Sequence, residues 1–383
     1  MSTSTSGLDG VVAATTSLSE VDGERGELVI AGFPVGELAA RSTFEETTWL
    51  LWHGDLPSPR ELETFRGELA AQRELTPATI DLLRECARAG VDPMDALRIA
   101  AGTISLTSAD ARAIVARVPT IVAAFDRLRR GAEPIRPRSD HGHAANFLYM
   151  LSGETPDPEH VRGLETYLNT VVDHGLNAST FTARVIISTG SDLVSAVVGA
   201  LGALKGPLHG GAPGPALDMV FEIGDASRAE EILRRKIEAG EKLMGFGHRV
   251  YKVRDPRADV LAAAAERLYT RAGDMSLYQL ARAVEATAIR LLEEYKPGRR
   301  LQTNVEFYTA LLLHGLGLET ALFTPIFAIS RVSGWIAHAF EQRRANRIIR
   351  PQSEYAGVRD RTWVPLAARP DHISEPSHTL MPR

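Results

Sequence analysis

Thr43-Phe-Glu-Glu-Thr-Thr-Trp-Leu-Leu-Trp52 decides the fold class. A threonine able to accept from a backbone N–H stands three residues before a glutamate able to return the bond, and apolar residues follow at helical spacing. The same signals recur along the chain. Pro57-Ser-Pro59 breaks it, and Ser58 is placed to cap a second helix beginning Arg-Glu-Leu. Ser227-Arg-Ala-Glu230 reads as another capping box, with Gly240 as the stop signal. Ser276 to Tyr295 reads as a long amphipathic helix closed by Lys-Pro-Gly. Strands are expected only in the N-terminal part, around Leu28-Val29-Ile30 between Gly23, Gly26 and Gly32. The expected fold class is all-α with a short N-terminal β element. No short repeat and no low-complexity linker interrupts the chain, so a second domain is expected as an insertion.

Composition narrows the function classes. The chain has 383 residues, 44% hydrophobic and 24% charged, which is ordinary for a soluble globular protein with ample core. A net charge of −5 arises from mixed signs, so nothing marks nucleic acid or an anionic membrane as a partner. Cys86 is the single cysteine, which excludes an internal disulfide and fits a reducing compartment. It lies in a helical pattern and reads as a small core residue. The N-terminal Met-Ser-Thr-Ser-Thr-Ser has neither the basic nor the apolar region of a secretory signal. The apolar run Leu193 to Leu204 falls short of the ~20 residues of a spanning helix. A cytoplasmic protein is expected.

Two segments place a histidine among glycines: Gly206-Pro-Leu-His-Gly-Gly-Ala212 and Met244-Gly-Phe-Gly-His-Arg-Val-Tyr-Lys-Val-Arg-Asp-Pro-Arg257. Glycine there lets backbone approach a ligand while an imidazole reaches it. A third segment, Asn304-Val-Glu-Phe-Tyr308, sets a carboxylate in an apolar run. Two imidazoles and one carboxylate are the groups needed to enolise a carbon acid and add it to a carbonyl. Asp255-Pro256-Arg257 reads as N-cap, N1 and N2 of a helix running through Val260 and Leu268. A guanidinium beside the free N–H groups of that first turn makes a site for a carboxylate or phosphate.

Other histidines carry less. His141, His143, His314 and His338 are expected to be structural, the default for a lone histidine, and His174 alone would read the same way. A metal site is not expected, because no two of His174, His209 and His248 lie three to five residues apart and no cysteine accompanies them. Lys205-Gly-Pro-Leu-His-Gly-Gly lacks the Gly-Lys-Ser/Thr ending of a P-loop. The arginines of segment 129–143 read as a solvated loop rather than a phosphate site.

The three segments resemble the active-site segments of the citrate synthase family, which includes the 2-methylcitrate synthases. The likeness extends to Gly7-Leu-Asp-Gly-Val-Val12, Phe44-Glu-Glu-Thr47, Leu51-Trp-His-Gly54, Ala145-Asn-Phe-Leu-Tyr-Met-Leu151 and Gly334-Trp-Ile-Ala-His338, so it covers nearly the whole chain. It implies a large helical domain, 1–210 plus 318–383, with a smaller helical domain, 211–317, inserted. It implies a transferase of the tricarboxylic acid cycle that condenses a short acyl-CoA with oxaloacetate, with coenzyme A thioester as co-substrate and no permanently bound cofactor. Acetyl-CoA is the expected donor and propionyl-CoA the alternative.

By the same resemblance His209 donates to the thioester oxygen, His248 polarises the ketone, and Glu306 removes the α-proton. His174, Arg257, Arg331 and Arg350 hold the keto-diacid carboxylates, with Arg350 supplied by the neighbouring subunit of a homodimer. The backbone of Lys242, Leu243, Met244, Gly245 and Phe246 holds the coenzyme A adenine, and Arg249 and Lys252 are candidate phosphate contacts. Two departures stand out. The family's usual base is aspartate where this chain has Glu306, and its usual Asn-Glu is replaced by Pro213-Gly214-Pro215. The first raises a rival from another class, a weakened homologue that senses CoA or oxaloacetate.

Overall fold

The computed structural model describes residues 6–8, 10–106, 110–210 and 213–369. The chain divides into two compact units, Met1–Ile349 and Arg350–Arg383.

The first unit opens with a three-stranded antiparallel meander, β1 (Ser19–Asp22), β2 (Glu27–Ile30) and β3 (Phe33–Pro34), in which Glu20 faces Val29 and Val29 faces Pro34. Leu28 and Ile30 are buried and alternate with more exposed neighbours, the period-two pattern of a strand with one covered face. Helices follow: α1 (Val35–Arg41), α2 (Phe44–His53), α3 (Pro59–Ala70), α4 (Pro77–Arg88), α5 (Pro93–Ala101), α6 (Ala111–Arg129), α7 (His143–Ser152) and α8 (Pro158–Val171). Then come α9 (Ala178–Ser188), α10 (Leu193–Leu204), α11 (Pro213–Ile223), α12 (Ala229–Glu238), α13 (Pro256–Ala272), α14 (Ser276–Tyr295), α15 (Val305–Gly315) and α16 (Phe323–Arg344). The expected all-α class with its short β element is what the chain adopts.

Local chemistry sets these boundaries. Thr43 and Ser58 both form full capping boxes, with Glu46 and Glu61 returning the bond to the cap backbone. Asp255 caps α13 with Pro256 at N1. The expected box at Ser227 does not form. Ser227 lies in a 3-10 turn, Ala226–Arg228, and both its N–H and its hydroxyl donate to Asp225, so α12 begins at Ala229 without a side-chain cap. The shorter aspartate closes its own Asx turn before the serine can reach Glu230. Pro213 opens α11, so the proline-rich departure sits in a helix's first turn, where proline is tolerated. Gly211 and Ala212, the end of the Gly206–Ala212 histidine segment, lie outside the described residues.

At the centre runs α16, packed by α2, α6, α8, α9 and α10. Phe323, Ile326, Ile329, Val332, Trp335 and Ile336 bury it on all sides. Thr320–Arg344 is long and apolar enough to cross a membrane, which the Leu193–Leu204 run is not, yet 78% of its apolar window is buried inside the protein. It is a core helix. Cys86 is buried in α4 as expected. Of the arginines in segment 129–143, Arg130, Arg136 and Arg138 are exposed as expected, while Arg129 is half-buried; Arg129 and Arg130 both bond Asp126, and Arg138 pairs with Asp140 at 2.5 Å.

In the second unit, residues 350–369 are exposed throughout and hold one short 3-10 turn, Leu366–Ala368. The polar tail from Asp371 to Arg383 lies outside the described residues.

Candidate active site

A cavity of about 1230 Å³ is lined by His174, His209, His248, Arg257, Glu306 and Arg331, together with Lys242 to Arg249. It exceeds the 300–1,000 Å³ of ordinary small-molecule pockets, so it has room for a nucleotide-sized ligand beside a small diacid. Six of the seven residues expected as catalytic or keto-diacid groups meet there. Arg350 opens the second unit and lies exposed.

Two turns and a strip of backbone assemble the core of the site. Gly245 and Gly247 adopt φ of +87° and +82°, and a Cβ on them would come within 2.9 Å of Phe307 and 3.0 Å of Leu301. Glycine suits both positions because of their positive φ and because the turn packs closely on Phe307 of α15 and on Leu301 just before it. The turn is zipped to residues 302–304: Gly247 N–H donates to Gln302 O at 2.7 Å, Asn304 N–H to Gly245 O at 2.9 Å, and Asn304 Nδ2 to Gly247 O at 2.8 Å. Asn304 also caps α15, accepting from Glu306 N–H at 3.0 Å. Asp255 joins the strip from α13, donating its N–H to Thr303 O and accepting from Val305 N–H, both at 3.2 Å. His248, Arg257 and Glu306 thus ride on one hydrogen-bonded scaffold.

The imidazoles are held in defined states. His248 Nδ1 accepts from two backbone N–H groups, Val250 at 3.0 Å and Tyr251 at 3.1 Å. Backbone N–H can only donate, so the ring hydrogen sits on Nε2 and that edge is the donor. His209 Nε2 faces the Ser179 N–H at 3.4 Å and the Ser179 hydroxyl at 2.8 Å, which leaves Nδ1–H as its donor. That serine receives the Trp335 indole N–H at 3.1 Å. His174 Nε2 lies 3.1 Å from the Tyr251 hydroxyl, and its ring stands edge-on to His248 at 5.6 Å.

Burial and then the arginines decide the charges. Burial, followed by Arg331, brings His209 down to about 4, while burial and Arg257 do the same to His248. His174 falls well below the usual range through burial, then through Arg257, Arg331, His248 and His209, which all face it. All three are neutral at pH 7. Burial raises Glu306 to about 7, against the pull of Arg257 and with a push from Asp255. Arg331, fully buried and beside Arg257, drops to about 10 despite Asp173, and remains protonated.

Both guanidiniums keep capacity for a ligand. Burial works against the charge of Arg257, and Asp255 outweighs it by taking Nε at 3.0 Å and Nη2 at 2.7 Å. The pairing of the helix cap with the arginine was not anticipated, and it leaves Nη1 to meet an anion. Arg331 donates Nε to Val171 O, while its Nη1 is buried with no partner in the protein. An unpaired buried donor is costly unless something binds it, and an anion is the natural partner. No group of three or more His, Cys, Asp or Glu side chains able to hold a metal occurs among the described residues.

Of the expected coenzyme A residues, Lys242 to Phe246 and Arg249 line the cavity. Lys252 does not. Its backbone N–H bonds Gly23 O at 2.9 Å, and its exposed amine turns back to Arg249 O at 3.2 Å. Lys296 and Arg299 line the cavity instead. Sequence reasoning took Lys296-Pro-Gly only as a helix stop, which it is, and passed over its charge. Tyr251 and Asp255 were also missed as site residues although both lie inside the Met244–Arg257 segment, and Ser179, five residues after His174, was missed as well.

Residues 7–352 match the family model described as citrate synthase, C-terminal domain. "Citrate synthase 2" of Bacillus subtilis is 42% identical over 379 residues, covering 96% of this chain and 100% of that protein. A 2-methylcitrate synthase of Mycobacterium tuberculosis is 42% identical over 368 residues, covering 93% and 91%. The citrate synthase of the archaeon Thermoplasma acidophilum, solved with carboxymethyl coenzyme A and oxaloacetate, superposes with a TM-score of 0.87 at 30% identity, covering 95% and 98%. The chain belongs to the citrate synthase family. It is an enzyme of the citrate synthase type.

Proposed function

We propose that the cavity condenses acetyl-CoA with oxaloacetate and water to give citrate and free coenzyme A, through an enol or enolate and citryl-CoA. The observation that carries this is the pair of fixed N–H donors, His209 Nδ1 and His248 Nε2, lining one cavity with a buried carboxylate raised to about 7. Glu306 takes the α-proton of the thioester. His209 donates to the thioester oxygen as charge gathers there, an effect on the order of 10²–10³ per donor. The enol carbon then bonds the ketone carbon of oxaloacetate, whose oxygen is polarised by His248. Water cleaves the citryl thioester and releases the thiol.

Arg257 and Arg331, with His174, hold the diacid, which supports near-attack geometry. The basic lining residues Arg249, Lys296 and Arg299 suit the phosphates of coenzyme A, beside the Lys242–Phe246 backbone. The rest of the site is proposed to come from Arg350 of a second copy in a homodimer. Residues 211–317 are proposed as a smaller domain that closes over oxaloacetate and excludes water.

The relatives include both citrate and 2-methylcitrate synthases, so propionyl-CoA is the alternative donor. One methylene is worth only about 1–3 kcal/mol of discrimination. The test uses Glu306→Gln and wild type, with thiol release followed for each thioester at fixed oxaloacetate. The variant is expected to lose condensation with both donors while oxaloacetate still binds by calorimetry. Normal turnover by the variant would remove Glu306 from the base role. A higher kcat/KM with propionyl-CoA would reassign the donor.

A further inference from the structure

The sequence motif Gly334-Trp-Ile-Ala-His338 plays no part in the chemistry above beyond the Trp335 contact to Ser179. Gly334, Trp335 and His338 nevertheless fall on one face of α16 with Arg331, at spacings of three, four and seven. That face lies against the segment carrying His174. Arg331 Nε bonds Val171 O. A Cβ on Gly334 would come within 2.4 Å of Val172 O, so glycine is what lets α16 approach this closely. His338 Nε2 lies 3.1 Å from Asp173 Oδ1, and both side chains are completely buried.

The direction of that bond is fixed from behind. Arg184 Nη1 lies 3.0 Å from His338 Nδ1, and a guanidinium can only donate. Nδ1 therefore carries the lone pair, and His338 Nε2–H donates to Asp173. Arg184 is itself anchored by Glu341 Oε2 at 2.6 Å and Gln342 Oε1 at 3.2 Å. On the far side of Asp173, the Ser19 hydroxyl of β1 donates to Oδ2 at 2.5 Å and accepts from the Gly175 N–H at 2.9 Å. Both chain neighbours of His174 are thus tied down: Asp173 through its side chain, Gly175 through its backbone. The Tyr251 hydroxyl adds a contact to the His174 ring itself, at Nε2.

We infer that His338 is a positioning residue for the keto-diacid site, holding the His174 turn in place through Asp173 and Ser19. It does not touch the substrate. Held by Arg184 with Nε2–H toward Asp173, it converts the rigidity of α16 into a fixed Asp173, and so into a fixed His174 ring. The same helix face presents Arg331 to the diacid and steadies Ser179 behind His209 through Trp335. Packing one face of one helix thereby sets three groups of the site at once.

This inference rests on His174 being an oxaloacetate ligand, and the experiment separates the two. Wild type, His338→Gln, His338→Leu and Ser19→Ala are compared in the full-length enzyme by thiol-release kinetics, with oxaloacetate and acetyl-CoA varied in turn. Melting is recorded without ligand. Leucine removes both hydrogen bonds at similar volume, whereas the glutamine amide can still donate to Asp173 and accept from Arg184. His338→Leu is expected to raise the oxaloacetate KM by about tenfold while the acetyl-CoA KM stays within about twofold. His338→Gln is expected to recover most of that loss. Ser19→Ala, at a half-buried position on the cavity wall, removes one small hydroxyl; it is expected to raise the oxaloacetate KM about threefold, and decides the matter should the leucine variant fail to fold. An unchanged oxaloacetate KM in a folded His338→Leu, equal rises in both KM values, or glutamine as impaired as leucine would each overturn the positioning role. Absence of condensation in the wild type would instead overturn the functional reading.

Discussion

Three imidazoles share one cavity and all stay neutral at pH 7, and the donor edges of two of them are set by different neighbours. His248 is oriented by the backbone of its own turn, through the N–H groups of Val250 and Tyr251. His209 is oriented by Ser179, thirty residues earlier in the chain. The first arrangement was within reach of sequence, since the turn lies inside the quoted motif. The second was not, because nothing in residues 206–212 points to Ser179. Glu306 is then the one cavity-lining carboxylate whose titration falls near neutrality, its ionisation disfavoured first by burial. On the proposal that Glu306 is the general base, which works in its ionised form, activity is expected to rise with pH through the Glu306 value. Below about pH 7, kcat/KM for acetyl-CoA is expected to fall about tenfold per pH unit down to pH 5. His209 and His248, both near 4, add no second step in that range. A pH profile at saturating oxaloacetate checks this, and a flat profile from pH 5 to 7 would place the base elsewhere.

Helix starts were legible where the capping residue is also the residue nearest the break. Thr43, Ser58 and Asp255 obey this, and α2, α3 and α13 begin where local chemistry puts them. Ser227 failed because Asp225 captures its hydroxyl and N–H first, a competition between two good acceptors that spacing alone does not rank. The Gly245-Phe-Gly247 turn was singled out for its chemistry, but its physical cause is long-range. It must lie against Phe307 and Leu301, sixty-two and fifty-four residues further on. Gly245→Ala therefore meets both a positive φ and a Cβ contact at 2.9 Å, and is expected to cost about 1–3 kcal/mol and to lower kcat by displacing His248. Gly273→Ala is the control. It has φ of +77° and open space at Cβ, so it is expected to cost about 1–2 kcal/mol with kinetics unchanged. Thermal melts with steady-state kinetics on both variants test the distinction, and equal kcat values would show that the turn does not aim His248.

At the scale of the whole molecule, one guanidinium expected at the site begins a separate unit whose described residues are exposed throughout. The proposal that Arg350 completes the neighbouring subunit's site makes a prediction that no single-subunit scheme shares. Arg350→Ala and Glu306→Gln homodimers should each be impaired, the first through oxaloacetate affinity and the second through proton removal. In a hybrid, the subunit carrying Arg350→Ala keeps its own Glu306 and would receive an intact Arg350 from its partner, so one of its two sites is whole. The other site combines both lesions. With random exchange at equal amounts, half of the dimers are hybrids, and activity should return to about a quarter of wild type. Were Arg350 to serve its own subunit, every site in the mixture would carry exactly one lesion and mixing would restore nothing. Thiol release measured before and after subunit exchange, at an oxaloacetate concentration that saturates wild type but not Arg350→Ala, decides between them. Absence of recovery, with hybrids demonstrated by native mass spectrometry, would place the second diacid clamp within one chain.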